Sequence, residues 1–166
     1  LKNTTTCMTS PAAAHTLEPD FIEGVRVISE EKIVFNSLLG LKITSLSPAL
    51  ATASIAMRPE FIGHFEYNRI HGGVISAALD AMGGIAVMGA IGARYQQEAI
   101  DKRLQRFAKL GTIDLRIDYL RPGIGERFTL SASVLRLGSR VASTRMEFFA
   151  ENGTLLSTGS GSYIVS

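Results

Sequence analysis

With a single cysteine, Cys7, the chain cannot close a disulfide within itself. A lone thiol in a polar segment points to a reducing compartment. Histidine is almost as scarce, since His15, His64 and His71 are the only three, and with one distant cysteine they have no metal-ligand spacing. Neither a metal nor a cofactor is expected. Charge is also sparse: Asp, Glu, Lys and Arg make up 19% of the chain and the net charge is +2. Lys and Arg are scattered along the sequence, which argues against a nucleic-acid surface. Neither G-x-S-x-G nor G-x-x-x-x-G-K-[ST] occurs, which excludes a serine-hydrolase elbow and a P-loop nucleotide site of those kinds. The opening LKNTTTCMTSPAAAHTLEPD lacks an apolar run of signal-peptide length. Residues 1–18 are therefore expected to form a flexible segment, and the protein to be cytoplasmic.

What is present is a core. Hydrophobic side chains make up 46% of the 166 residues, enough for one domain over residues 19–166 and no second one. The longest apolar run, GGVISAALDAMGGIAVMGAIGA at 72–93, holds one charged residue, Asp80, and six glycines. It is long enough for a bilayer, but a central acid costs on the order of 3 kcal/mol there and glycines are poor helix formers. A buried helix, with no membrane insertion, is the expectation.

Around that run the pattern is mixed. Residues 19–40 space apolar and acidic side chains helically, with Gly40 as a C-terminal cap, and predict one helix broken near Gly24. LKITSLSPALATASIAMRP predicts a hairpin turning at Ser47-Pro48 and closed by Pro59. FIGHFEYNRI is expected to be a loop. ARYQQEAIDKRLQRFAK fits only loosely to a short amphipathic helix through Ala99, Leu104 and Phe107, and is expected to be a surface excursion. In GTIDLRIDYLRPG, Thr112, Asp114, Arg116 and Asp118 alternate with Ile113, Leu115, Ile117 and Tyr119, as in a strand with one buried face. A Gly138 turn and Asn152-Gly153 then divide the remainder into a three-strand antiparallel meander. The alternating strands and the helix that is apolar all round predict an α+β domain in which an antiparallel sheet curls round one long helix.

On that helix Gly73, Ser76, Ala77, Gly83, Gly84 and Val87 share the face of Asp80. Either Asp80 pairs with Arg116, Arg121 or another cation across a subunit contact, or it borders a narrow cleft as a base or nucleophile. His71-Gly72-Gly73 favours the second reading. The first N–H groups of a helix have no partner inside it, and here they carry no side chains in front of them, which suits a developing oxyanion. Eight residues of helix put Gly72 about 12 Å from Asp80. One carbonyl cannot meet both, so a two-fold dimer with a shared site is expected.

HGGVISAALDAMGG resembles the His-Gly-Gly-x6-Asp signature of hot-dog-fold acyl-CoA thioesterases of the phenylacetate-degradation type. GTIDLRIDYLRPGIGERFTLSASVLRLGSRVA and ENGTLLSTGSGSYIV continue the similarity over about the last three-quarters of the chain, most like a bacterial subgroup acting on medium and long acyl chains. The resemblance implies a hot-dog fold and hydrolysis of acyl-CoA to free acid and CoA, by a homodimer or a dimer of dimers. It implies Asp80 as nucleophile or general base, the Gly72 N–H as oxyanion donor, Thr112 holding the attacking water, and His71 and Gly73 beside the thioester. Relatives carry an Asn in the loop before the histidine; His64 or Asn68 takes that position here. CoA contacts would come from the turn Leu137-Gly138-Ser139-Arg140 and from Arg121, and the acyl chain would run beside Gly83, Gly84 and Val87 with Met82 and Met88 as walls. A hot-dog hydratase or dehydratase would need a differently placed acid–base pair, and a non-catalytic acyl-CoA sensor would not need Asp80.

Overall fold

The computed structural model describes residues 16–166. Cys7, His15 and most of the segment expected to be flexible lie outside them. Leu17 is buried and Glu18 is paired, so the packed chain begins ahead of residue 19.

The expected single helix over 19–40 is three pieces. Helix α1 (Pro19–Val27) starts with proline at its first position, where a missing N–H costs nothing, and buries Phe21 and Val25 one turn apart. A wider turn follows over Ile28–Lys32, and Ile33 is extended. The break therefore falls at Ile33. Helix α2 (Val34–Leu39) ends on Gly40, whose φ of 65° is the left-handed cap expected of it. Gly24 instead admits a neighbour: a Cβ there would collide with the Leu104 side chain. The widened turn aims Glu30 inward, where its carboxylate accepts from the Ile43 N–H at 2.8 Å and Lys42 Nζ at 3.0 Å. These bonds tie the helical segment to the first strand.

Strands β1 (Lys42–Leu46) and β2 (Leu50–Ala56) form the expected hairpin. The supposed loop after it contains a small hairpin of its own, β3 (Ile62–His64) with β4 (Arg69–Ile70). Helix α3 (Gly72–Arg94) follows, then the short α4 (Ile100–Gln105) and a tight turn. The chain closes with β5 (Gly111–Tyr119), β6 (Arg127–Leu137), β7 (Val141–Ala150) and β8 (Leu155–Ile164). Six strands make one antiparallel sheet in the order β1-β2-β6-β7-β8-β5, so the meander is present and β5 crosses to the far edge.

α3 is long and apolar enough to cross a membrane, yet 67% of its most apolar window is buried within the protein. Its glycines mark close approaches. Gly92 faces the Phe21 ring and Gly89 the Ser47 carbonyl, at distances no Cβ could occupy unchanged. The excursion after α3 is not confined to the surface. Arg103 is 1% exposed and donates to both Glu18 carboxylate oxygens, at 2.8 and 3.0 Å, and to the Gly92 carbonyl at 3.0 Å. Its guanidinium also covers the Phe21 ring. A charge this deep requires such a partner set, and one arginine thus fastens α4, α1 and the end of α3 together.

Gly89 offers a direct check. Alanine gains about 1 kcal/mol in helix propensity, but its Cβ would lie 2.6 Å from the Ser47 carbonyl oxygen. That oxygen belongs to the backbone, so overpacking of about 1–3 kcal/mol governs. Gly89→Ala is expected to lower the urea midpoint without changing the slope of unfolding.

Candidate active site

Asp80 lies half-buried near the middle of α3, held by neutral donors. Thr112 Oγ1 on β5 donates to Asp80 Oδ1 at 2.8 Å. The Tyr163 hydroxyl on β8 is within reach of the same Oδ1 at 3.3 Å and of the Asp80 main-chain oxygen at 3.0 Å. No cation of the chain pairs with it among the described residues: Arg116 bonds Asp118 at 3.2 Å, and Arg121 donates to the Leu155 carbonyl at 2.9 Å. A carboxylate in apolar surroundings is costly without donors; each hydrogen bond to the charged form contributes about 1.5–3 kcal/mol.

Thr112 reaches Asp80 because β5 is bulged. Thr112 pairs with Tyr163 and Asp114 with Ser162, which leaves Ile113 as an extra residue. Strict alternation would put Thr112 on the outer face with Asp114 and Arg116. The bulge turns it inward instead and leaves Ile113 57% exposed. Tyr163 reaches Asp80 because space is cleared for it. A Cβ on Gly83 would come 2.5 Å from the tyrosine Cζ, and one on Gly161 2.9 Å from its Cε2. Burial, and then the negative charge of Asp80, push the Tyr163 phenol far above its ordinary pKa, so its proton is held in place.

At the start of α3, His71 acts as the cap: its Nδ1 accepts from the Gly73 N–H at 2.9 Å. The Tyr119 hydroxyl donates to the Gly72 carbonyl at 2.9 Å. The Gly72 N–H has no acceptor among the described residues. Two cavities run along the exposed side of α3. One of about 300 Å3 is lined by Asp80, Thr112, Gly84 and Tyr163; the next, of about 400 Å3, is lined by His71, Gly73, Leu38 and Phe61. Phe35 and Ala77 border both, which makes them one groove beneath α2. Among the described residues no three His, Cys, Asp or Glu side chains gather as a metal site would require.

The sequence profile of the thioesterase superfamily matches residues 67–157, more than half of the chain. The chain belongs to the thioesterase superfamily. Its sheet around one long helix is the superfamily's hot-dog fold, and the protein is a thioester hydrolase. The medium/long-chain acyl-CoA thioesterase YigI of Salmonella typhimurium is 38% identical over 131 residues, which are 79% of this chain and 84% of that protein. The protein of the same name in Escherichia coli is 37% identical over the same shares. A crystal structure from Shewanella oneidensis, related to the thioesterase superfamily, superposes with a TM-score of 0.83 at 38% identity, covering 89% of this chain and 96% of that one.

In this thioesterase the residues singled out from the sequence fall into separate places. Asp80, Thr112 and Gly84 share one cavity, and His71 and Gly73 the adjoining one. Gly72 and Arg121 line a third cavity of about 370 Å3 on the other side of the helix start, together with Arg69 and Tyr119. Gly83 is buried against Tyr163 and Met146, and Met82, Val87 and Met88 are buried in the core, so of the expected acyl channel only Gly84 opens to a cavity. His64 stacks on Phe65 and meets the Tyr67 ring at a tilt. Asn68, at a φ of 47°, lines a cleft with Arg58 and Glu151 away from Asp80. Gly138 and Arg140 lie at the β6–β7 turn, which Arg94 clamps from the last residue of α3 by bonding the Leu137 and Gly138 carbonyls at 3.2 and 2.9 Å.

Reading the sequence missed Tyr163, Tyr119 and Arg94. Only Tyr163 carries a signal, the tyrosine following two spaced glycines in GSGSYIV. Gly83→Ala tests the packing that admits it. The added methyl meets the Tyr163 hydroxyl and lies 2.7 Å from Met146 Sδ. Thioester hydrolysis is expected to fall at least about tenfold, with a stability loss of about 1–3 kcal/mol by thermal unfolding.

Proposed function

We propose that this thioesterase hydrolyses medium- and long-chain acyl-CoA to the free acid and CoA, with Asp80 as nucleophile or general base. The observation that carries the reading is a half-buried carboxylate held by two hydroxyls and, among the described residues, by no cation, at the floor of an apolar groove. Hydroxyl donors hold such a group in place and leave it an oxygen with which to react as base or nucleophile. As a base it takes a proton from a water that then attacks the thioester carbonyl, and Thr112 has lone pairs left to position that water. As a nucleophile it forms a mixed anhydride and releases CoA as its thiolate, and water then cleaves the anhydride.

The oxyanion donor in this reading is the Gly72 N–H of a second copy. Within one chain Gly72 and Asp80 are about 12 Å apart along the helix. Edge strand β5 supports a two-fold pairing, since no strand among the described residues pairs its outer side and Ile113 and Tyr119 stand exposed at 57% and 54%. A homodimer, or a dimer of dimers, then has two sites, each using the start of one α3 and the middle of the other. Arg121 and Arg69 beside Gly72, and Arg140 at the far turn, are the cations available to CoA phosphates.

For the acyl chain we assign the groove beneath α2. Val34, Phe35 and Leu38 are 78%, 55% and 61% exposed on that helix, and the groove they flank leads to both Asp80 and His71. The names of the curated relatives support a medium or long chain there.

Thiol release measured over acyl-CoAs of graded length tests the assignment. Asp80→Asn is expected to fold, bind CoA esters and lose activity by about 100-fold or more; hydrolysis at the wild-type rate would remove Asp80 from the mechanism. Wild type that binds without turnover would make the protein a sensor. Phe35→Ala is expected to lower kcat/KM about tenfold for long chains and to leave short ones nearly unchanged, since the lost contact is apolar.

A further inference from the structure

We propose that Tyr163 is a positioning residue that, with Thr112, pins Asp80 Oδ1 and leaves Oδ2 as the reacting oxygen. This rests on Asp80 being the reacting carboxylate. Both hydroxyls converge on Oδ1, at 2.8 and 3.3 Å, and no donor among the described residues reaches Oδ2. Two donors on one oxygen oppose rotation of a carboxylate about its last bond, and here they come from paired positions on neighbouring strands, β5 and β8. Oδ2 is thereby the oxygen with unshared lone pairs, whether it attacks carbon or accepts a proton from water.

The surroundings support a role beyond packing. The Tyr163 ring is 2% exposed, and its hydroxyl is 3.6 Å from Met146 Sδ, a weak acceptor. Among the described residues two oxygens of Asp80, its Oδ1 and its main-chain oxygen, lie within reach as strong acceptors, and the buried Thr144 hydroxyl also approaches the phenol. A buried hydroxyl needs such a partner, and two glycines, Gly83 and Gly161, give up their side chains so that it arrives there. Of the residues lining the Asp80 cavity, only Asp80 and Tyr163 titrate; α2, β5 and the turn before β5 contribute no ionisable group.

Tyr163→Phe keeps the ring and removes the donor. The expected result is kcat reduced about tenfold with KM nearly unchanged, and the acid limb of the kcat profile moved upward. The sign follows from the lost hydrogen bond, since a carboxylate that loses a donor is less favoured in its charged form. Replacing Tyr163 alone by 3-fluorotyrosine, which keeps shape and hydroxyl but makes the phenol a stronger donor, moves that limb the opposite way. This second variant serves even where the phenylalanine form folds poorly. An acid limb unmoved in both variants overturns the proposal, because a hydroxyl bound only to the main-chain oxygen would give that result. Asp80→Asn run alongside separates the two levels: an active Asp80→Asn sinks the catalytic reading itself, whereas an inactive one with wild-type behaviour at position 163 sinks only the role of Tyr163.

Discussion

A carboxylate set in an apolar groove, with no cation paired to it among the described residues, depends on neutral donors brought to it from elsewhere in the fold. α3 supplies Asp80, but neither of its donors comes from the same helix: Thr112 is on β5 and Tyr163 on β8. The two strands are hydrogen-bonded neighbours, and Thr112 and Tyr163 are directly paired. A single register between two strands thus determines the state of the acid. A slip of one residue in β5 would turn Thr112 to the other face and away from Asp80.

The same demand accounts for the stripe of small residues along α3. Glycine weakens a helix by about 1 kcal/mol relative to alanine, and α3 offsets that by burial on nearly all sides. Gly83 admits Tyr163, Gly89 the β1–β2 turn and Gly92 the ring of Phe21, while Ala77 and Gly84 keep the groove open. Small side chains on one helix therefore perform two tasks. Toward the sheet they permit close packing, and toward α2 they leave room.

The helices before the sheet complete the groove. Glu30 anchors their middle to β1, and Arg103 holds α1 against α3 and α4, so α2 is set over the face of Asp80 with its apolar residues still exposed. Glu30 and Arg103 are themselves buried, whereas the groove is lined by neutral side chains apart from Asp80 and the residues at the His71 end.

Much of this was legible in the sequence, and for a local reason. The apolar run with its one acid, the His-Gly-Gly start, the Gly40 cap and the Asn152-Gly153 hairpin all express periodicity or turn chemistry within a few residues. The length of α3, the meander and the position of Asp80 follow from them. The break at Ile33, the burial of Arg103 and the bulge at Ile113 do not, because each answers to a partner far away in sequence: Lys42 and Ile43, Glu18, and Ser162 with Tyr163. Period-two reading put Thr112 on the wrong face for the same reason. The sequence by itself determined that a lone carboxylate would sit on a long buried helix with an open N-terminus. Only the tertiary structure decided what holds that carboxylate, since strand register is set by pairing across the sheet and not by neighbours along the chain.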